Sequence, residues 1–118
     1  MHELGITQGI IDRARDVAVA NEAGKVTDLY LAMTPAADFT FESIEMYFEM
    51  LTEDDELFRG AALHLEWLPV AATCLRCGGE FSTDVPHPLC PQCGSTAVRP
   101  DPTAPMVQLT DVGVDEGD

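Results

Sequence analysis

The chain has 118 residues, 46% hydrophobic and 23% charged, and its 21 acidic residues against 6 Lys and Arg give a formal net charge of −15. That composition fits a folded protein: one ordinary domain, or one small domain plus a metal-stapled module too short to build its own core. It argues against nucleic-acid binding and against attraction to an anionic membrane, since both need clustered Lys and Arg.

In chain order, residues 6–21 are expected to form an amphipathic helix. Ile6, Ile10, Ala14, Val17 and Ala18 make its apolar stripe, with Asp12, Arg13, Arg15 and Asp16 on other faces. Ala23-Gly24 is the expected stop, with glycine supplying the left-handed closing residue. Residues 25–33 read as a strand, with Leu29, Leu31 and Met33 on one face and Val26 and Tyr30 on the other. A loop over 34–38 leads to a second helix from about Thr40, with Phe41, Ile44, Phe48 and Leu51 inward and Asp38 or Thr40 as the cap. Glu53-Asp54-Asp55-Glu56 is expected to be a solvated acidic loop.

Residues 61–68 alternate cleanly, placing Ala61, Leu63, Leu65 and Trp67 inward and Ala62, His64 and Glu66 outward, as in a half-buried strand. Pro69 ends it. From Thr73 to Pro100 the chain holds four Cys with many Gly and Pro and little apolar periodicity, so a loop-rich segment held by a metal is expected. Residues 106–112 return to strand character. A lone C-terminal strand is unstable in water, so it should pair back onto the first sheet, ahead of a frayed tail at 115–118. No apolar run approaches the ~20 residues of a bilayer span. The N-terminus lacks the pattern of a secretion signal, which makes the cytosol the expected compartment and reduced thiols the expected state of the cysteines.

The spacing Cys74-x2-Cys77-x12-Cys90-x2-Cys93 puts thiolate pairs on tight turns that can complete a tetrahedron. Gly78 and Gly94 follow the second cysteine of each pair and free the backbone to aim N–H groups at sulfur. Zinc is the expected ion, and four protein ligands leave no open position, so the site is structural. A single iron for electron transfer and a thioredoxin-like redox pair are the rival readings. His64 is expected to be solvated, and His87 to be a loop residue, with an outer hydrogen-bond donor to the cluster or an occasional replacement ligand as its alternatives.

Met1-His2-Glu3 carries different chemistry. The terminal amine, the deprotonated His2 amide and the His2 imidazole can form fused chelate rings, with the Glu3 amide as a further contributor. Planar nitrogen ligation suits Ni(II) or Cu(II). Every such ligand must lose a proton, so affinity falls below neutral pH. A histidine at position 2 of a terminus is also compatible with no role at all.

Taken together, Met1-His2-Glu3-Leu4, the Leu63-x-Leu65-x-x-Leu68-Pro69 strand, Cys74-x2-Cys77-Gly78-x2-Phe81 and Cys90-Pro91-x-Cys93-Gly94-Ser95 resemble the HypA/HybF family. These are nickel-insertion metallochaperones for nickel–iron hydrogenase. The resemblance implies an α+β fold, two helices packed on a small mixed β-sheet with an inserted four-cysteine zinc-ribbon-like domain. It places the nickel domain at residues 1–69 and 106–118 and the zinc domain at 70–105. It implies one transient Ni(II) at His2 with Met1 and Glu3, and one structural zinc at Cys74, Cys77, Cys90 and Cys93. It also implies a HypB-type GTPase and the hydrogenase large subunit as partners, with urease and its accessory proteins served by some members. Two departures, Ala32-Met33 at the end of the first strand and Pro100, Pro102 and Pro105 before the last, touch no ligand. No nucleophile–base pair or phosphate loop stands out, so catalysis is not expected. The alternative in another class is a zinc-ribbon adaptor that only scaffolds a complex.

Overall fold

A computed structural model describes residues 2–85 and 87–115, His2 through its backbone. The chain divides into two compact units, one from Met1–Leu31, Phe39–Leu65 and Gln108–Asp118, the other from Ala32–Asp38 and Glu66–Val107.

In the first unit, helix α1 spans His2–Ala20. It starts four residues before the expected Ile6 and includes Gly5. Thr7 helps, its hydroxyl donating back to the Glu3 carbonyl at 2.7 Å. The buried stripe is Thr7, Ile10, Ile11, Ala14 and Ala18, while Val17 is 37% exposed. The apolar face is thus rotated from the expected one, with Ile11 taking the place given to Val17. The closing turn also differs. Ala23 N–H donates to the Ala18 carbonyl (2.9 Å) and Glu22 N–H to that of Val19 (3.1 Å), and the left-handed residue is Glu22, φ 54°, not Gly24.

Strand β1 (Lys25–Met33) is the central strand of a three-stranded sheet in the order β2-β1-β6, with β2 at Ala62–Trp67 and β6 at Val107–Asp115. The central position explains its burial: Val26, Leu29, Leu31, Ala32 and Met33 are all at most 2% exposed. Edge strand β2 keeps the expected alternation, with Leu63, Leu65 and Trp67 half-buried and Ala62, His64 and Glu66 exposed. The C-terminal strand returns beside β1, as its instability in isolation requires.

Helix α2 spans Phe41–Leu51 and buries Ile44 and Phe48. Its cap is Thr40, whose hydroxyl accepts from Ser43 N–H at 3.1 Å. The acidic segment after it is not simply solvated. Asp55 accepts from Leu57 N–H (3.0 Å) and from Arg15 (2.8 Å), starting a short helical turn at Glu56–Phe58. Phe58, 3% exposed, meets Phe48 edge to face at 5.8 Å, and the Arg15 guanidinium lies 5.3 Å from its ring centre.

The second unit holds a sheet where a loop-rich segment was expected. Strands β3 (Val70–Cys74), β4 (Glu80–Thr83) and β5 (Val98–Pro100) pair antiparallel in the order β4-β3-β5. Val70 lies opposite Thr83, and Cys74 opposite Val98. Val70, Ala72 and Cys74 are buried on alternate positions, a pattern that small residues make easy to miss. Pro100 sits in an edge strand, where a missing N–H does little harm.

Candidate metal centre

The four cysteines converge. Cys74 ends β3, Cys77 follows in the turn toward β4, and Cys90 and Cys93 lie in a second turn ahead of β5. The two turns are built alike. Gly78 N–H donates to the Cys74 carbonyl (2.9 Å) and Gly94 N–H to that of Cys90 (2.8 Å). Both glycines are left-handed, at φ 75° and 73°, a conformation in which a side chain would be strained. Return bonds close each knuckle, from Cys74 N–H to Gly79 (2.8 Å) and from Cys90 N–H to Ser95 (3.0 Å).

Cys74 Sγ is 3.6 Å from Cys93 Sγ and Cys77 Sγ is 3.7 Å from Cys90 Sγ, with all four ligand atoms within 4.8 Å of one another. Sulfurs of a regular tetrahedron, each ~2.3 Å from a zinc ion, stand ~3.8 Å apart, so the donor set fits zinc in both softness and spacing. Cys74 and Cys90 are buried and Cys77 and Cys93 exposed, giving the cluster one sealed and one open side.

The electrostatics point the same way. The Cys77 backbone N–H, 3.4 Å from Cys74 Sγ, lowers the Cys74 thiol to about 6. Cys90 is lowered too, by N–H groups of Cys93 and Gln92, the latter at 3.4 Å. At Cys77 and Cys93 the N–H groups of Gly79 and Ser95 pull the pKa down, but the neighbouring sulfurs and partial desolvation together outweigh them and raise it, to about 12 at Cys93. Two thiols ionise readily and two resist. Four thiolates this close need a cation to balance them, which a divalent metal supplies.

Among the described residues this is the only group of three or more His, Cys, Asp or Glu able to share a metal. His87 is exposed, at φ 54°, and is not part of it. His64 is not simply solvated. Its Nε2 is 2.8 Å from Asp28 Oδ1 and its ring stacks on Tyr30 at 4.6 Å. That contact, followed by the Thr27 hydroxyl, holds the Asp28 carboxyl below its ordinary range.

Of the expected nickel ligands, Met1 and the His2 side chain lie outside the described residues. Glu3 is half-buried in the first turn of α1. The residues that sequence reasoning missed at the cluster are the backbone donors of Cys77 and Gln92, readable only as positions next to a ligand.

A family model described as "Hydrogenase/urease nickel incorporation, metallochaperone, hypA" matches residues 1–107. The chain is 37% identical over 95 residues to a hydrogenase maturation factor HypA of Azotobacter vinelandii, covering 80% of this chain and 83% of that one. A HypA of Syntrophus aciditrophicus is 28% identical over 115 residues, covering 98% and 100%. The solution structure of the Ni metallochaperone HypA from Helicobacter pylori shares the fold at a TM-score of 0.66 with 19% identity, covering 99% of this chain and 100% of that one. Because the match runs from the first residue through both cysteine pairs to the start of β6, this chain belongs to the HypA family of nickel-incorporation metallochaperones, the maturation factors of hydrogenase.

Proposed function

We propose that the protein binds one Ni(II) at its N-terminus and hands it to the large subunit of a [NiFe] hydrogenase, while zinc on Cys74, Cys77, Cys90 and Cys93 keeps the second unit folded. What supports this reading is the nickel-incorporation family match over residues 1–107 together with a helix α1 that begins at His2. The first N–H groups of a helix have no acceptor within it, so the His2 and Glu3 amides can give up protons to a metal without breaking the helical ladder. The partial positive charge at that end favours a deprotonated amide. The His2 imidazole and the Met1 amine complete the set, and Glu3 contributes its amide.

These donors hold nickel loosely because protons compete for each of them, and a carrier must release its cargo. Zinc in a closed tetrathiolate is structural and has no part in a reaction. A HypB-type GTPase is the proposed partner in loading, urease and its accessory proteins are a second destination, and the cytoplasm is the proposed compartment. Among the described residues no helix is long and apolar enough to cross a membrane.

Nickel titration with simultaneous metal analysis tests the reading. Protein starting at an unblocked Met1 should take up one Ni(II), His2→Ala should abolish uptake with zinc retained, and Cys74→Ser should lose zinc. Full nickel uptake by His2→Ala would leave only the zinc-ribbon adaptor.

A further inference from the structure

We propose that the outward face of α2 is the docking surface for a basic amphipathic helix of a partner protein. While Ile44 and Phe48 point into the core, Met46 and Met50, four residues apart, are 57% and 54% exposed. Residues at that spacing lie one above the other, so the two thioethers form one apolar strip. Exposed Met pairs are adaptable contact surface for an apolar helix face.

A row of carboxylates runs beside the strip. Glu42, Glu49 and Glu53 are exposed and Glu45 half-buried. Asp55, Glu56 and Asp28 are held in ion pairs, whereas among the described residues these four glutamates face no cation partner. Glu42–Glu45 and Glu45–Glu49 are three and four apart on the helix, where like charges repel, and Glu53 follows just past the Thr52 cap. No basic residue sits in the last turn of α2, so Glu49 and Glu53 also face the negative end of the helix dipole. The isolated protein tolerates this repulsion, and cations facing the row would relieve it.

That charge pattern selects the occupant. A second copy of this chain docking through the same face would set two carboxylate rows against each other. A nucleic acid or an anionic membrane would be repelled. Helix α2 has 11 residues and is about 16 Å long, matching three turns of a partner helix, so Lys or Arg repeating every three or four residues would face its glutamates, with Leu or Phe beside them on the methionines.

The probe is a three-turn synthetic helix of lysine and leucine with its leucines on one face, set against a scrambled peptide of the same composition. Binding to the full zinc-loaded chain is followed by fluorescence anisotropy and by backbone amide shifts. The expected result is binding with shifts concentrated over residues 42–53, at least tenfold weaker for the scrambled peptide. Met46→Gln with Met50→Gln should weaken it tenfold or more at unchanged salt dependence, since Gln keeps the helix propensity. Glu42→Gln with Glu49→Gln and Glu53→Gln should weaken it and flatten the salt dependence. No binding, equal binding of the scrambled peptide, shifts spread over the acidic surface, or an unaffected methionine variant would each overturn the proposal. The assay uses no nickel, so its outcome is separate from the location of the nickel site.

Discussion

Replacing Glu22 with glycine should stabilise this protein. Glu22 closes α1 in the left-handed conformation at φ 54°, the position where helices most often carry glycine. An L-residue there costs roughly 1–2 kcal/mol, and glycine recovers most of it, less the entropy it restores to the unfolded chain, about 0.4–1 kcal/mol. Glu22 also places a negative charge at the end of a helix with no basic residue in its last turn, which adds a few tenths of a kcal/mol to the gain. Glu22→Ala removes the charge and keeps the strain, so the difference between the two variants isolates the backbone. That difference should be about 1 kcal/mol, a rise of roughly 4–8 °C in melting temperature for a unit of this size.

Gly24→Ala is the counter-test. Gly24 is not left-handed and an added Cβ meets nothing within 4 Å, so that variant should be neutral or slightly stabilising. Thermal unfolding followed by circular dichroism on zinc-loaded full chain reads all three. Glycine at 22 performing no better than alanine, with Gly24→Ala losing stability, would refute the assignment of the closing residue.

Chelating the metal should collapse hydrogen-exchange protection in β3, β4 and β5 while α1 and β1 keep theirs. A ligand at about 1,000 times its dissociation constant supplies about 4 kcal/mol, and the only buried apolar residues of β3 are Val70, Ala72 and Cys74; unchanged protection would contradict a structural zinc. Thr40→Ala should cost about 1 kcal/mol by removing the acceptor of Ser43 N–H, measured as lost exchange protection in the first turn of α2. The Asp28 carboxyl is held below its ordinary value, so its contribution is present at neutral pH and is lost as pH falls below ~4 through the lowered folded value. The stability difference between wild type and Asp28→Asn, measured by urea unfolding, should therefore shrink on acidification; a difference that grows would reverse the sign.

The parts of the fold that could be read from the chain are those with a strict period and enough residues to display it. β2 alternates over its whole length, and α2 places Ile44 and Phe48 four apart next to a capping threonine. The cysteine cluster was readable because metal chemistry dictates its spacing. What failed has physical causes. The expected helix began at Ile6, the first residue of its apolar stripe, yet an exposed glycine costs a helix only ~1 kcal/mol, so α1 runs back through Gly5 ahead of buried Thr7, Ile10 and Ile11. The stripe of α1 was misplaced because Ile10 and Ile11 are adjacent, and periodicity alone does not decide which one leads.

The three strands of the second unit are short, and Ala71 and Ala72 carry little pattern. The roles of Asp55, inside the acidic run, and of Phe58, two residues after it, were hidden because their partners, Arg15 and Phe48, lie elsewhere in the chain. His64 is exposed as expected, but its contacts were hidden for the same reason, its partners Asp28 and Tyr30 belonging to the neighbouring strand.

The nickel site is tested most directly by blocking its first donor. Acetylating the Met1 amine, or extending the chain by one residue ahead of it, turns that amine into an amide and leaves the His2 side chain and the zinc cluster intact. Calorimetric titration with Ni(II) should then show uptake weakened by orders of magnitude in the blocked protein at unchanged zinc content, whereas equal nickel affinity in blocked and free forms would contradict an N-terminal site.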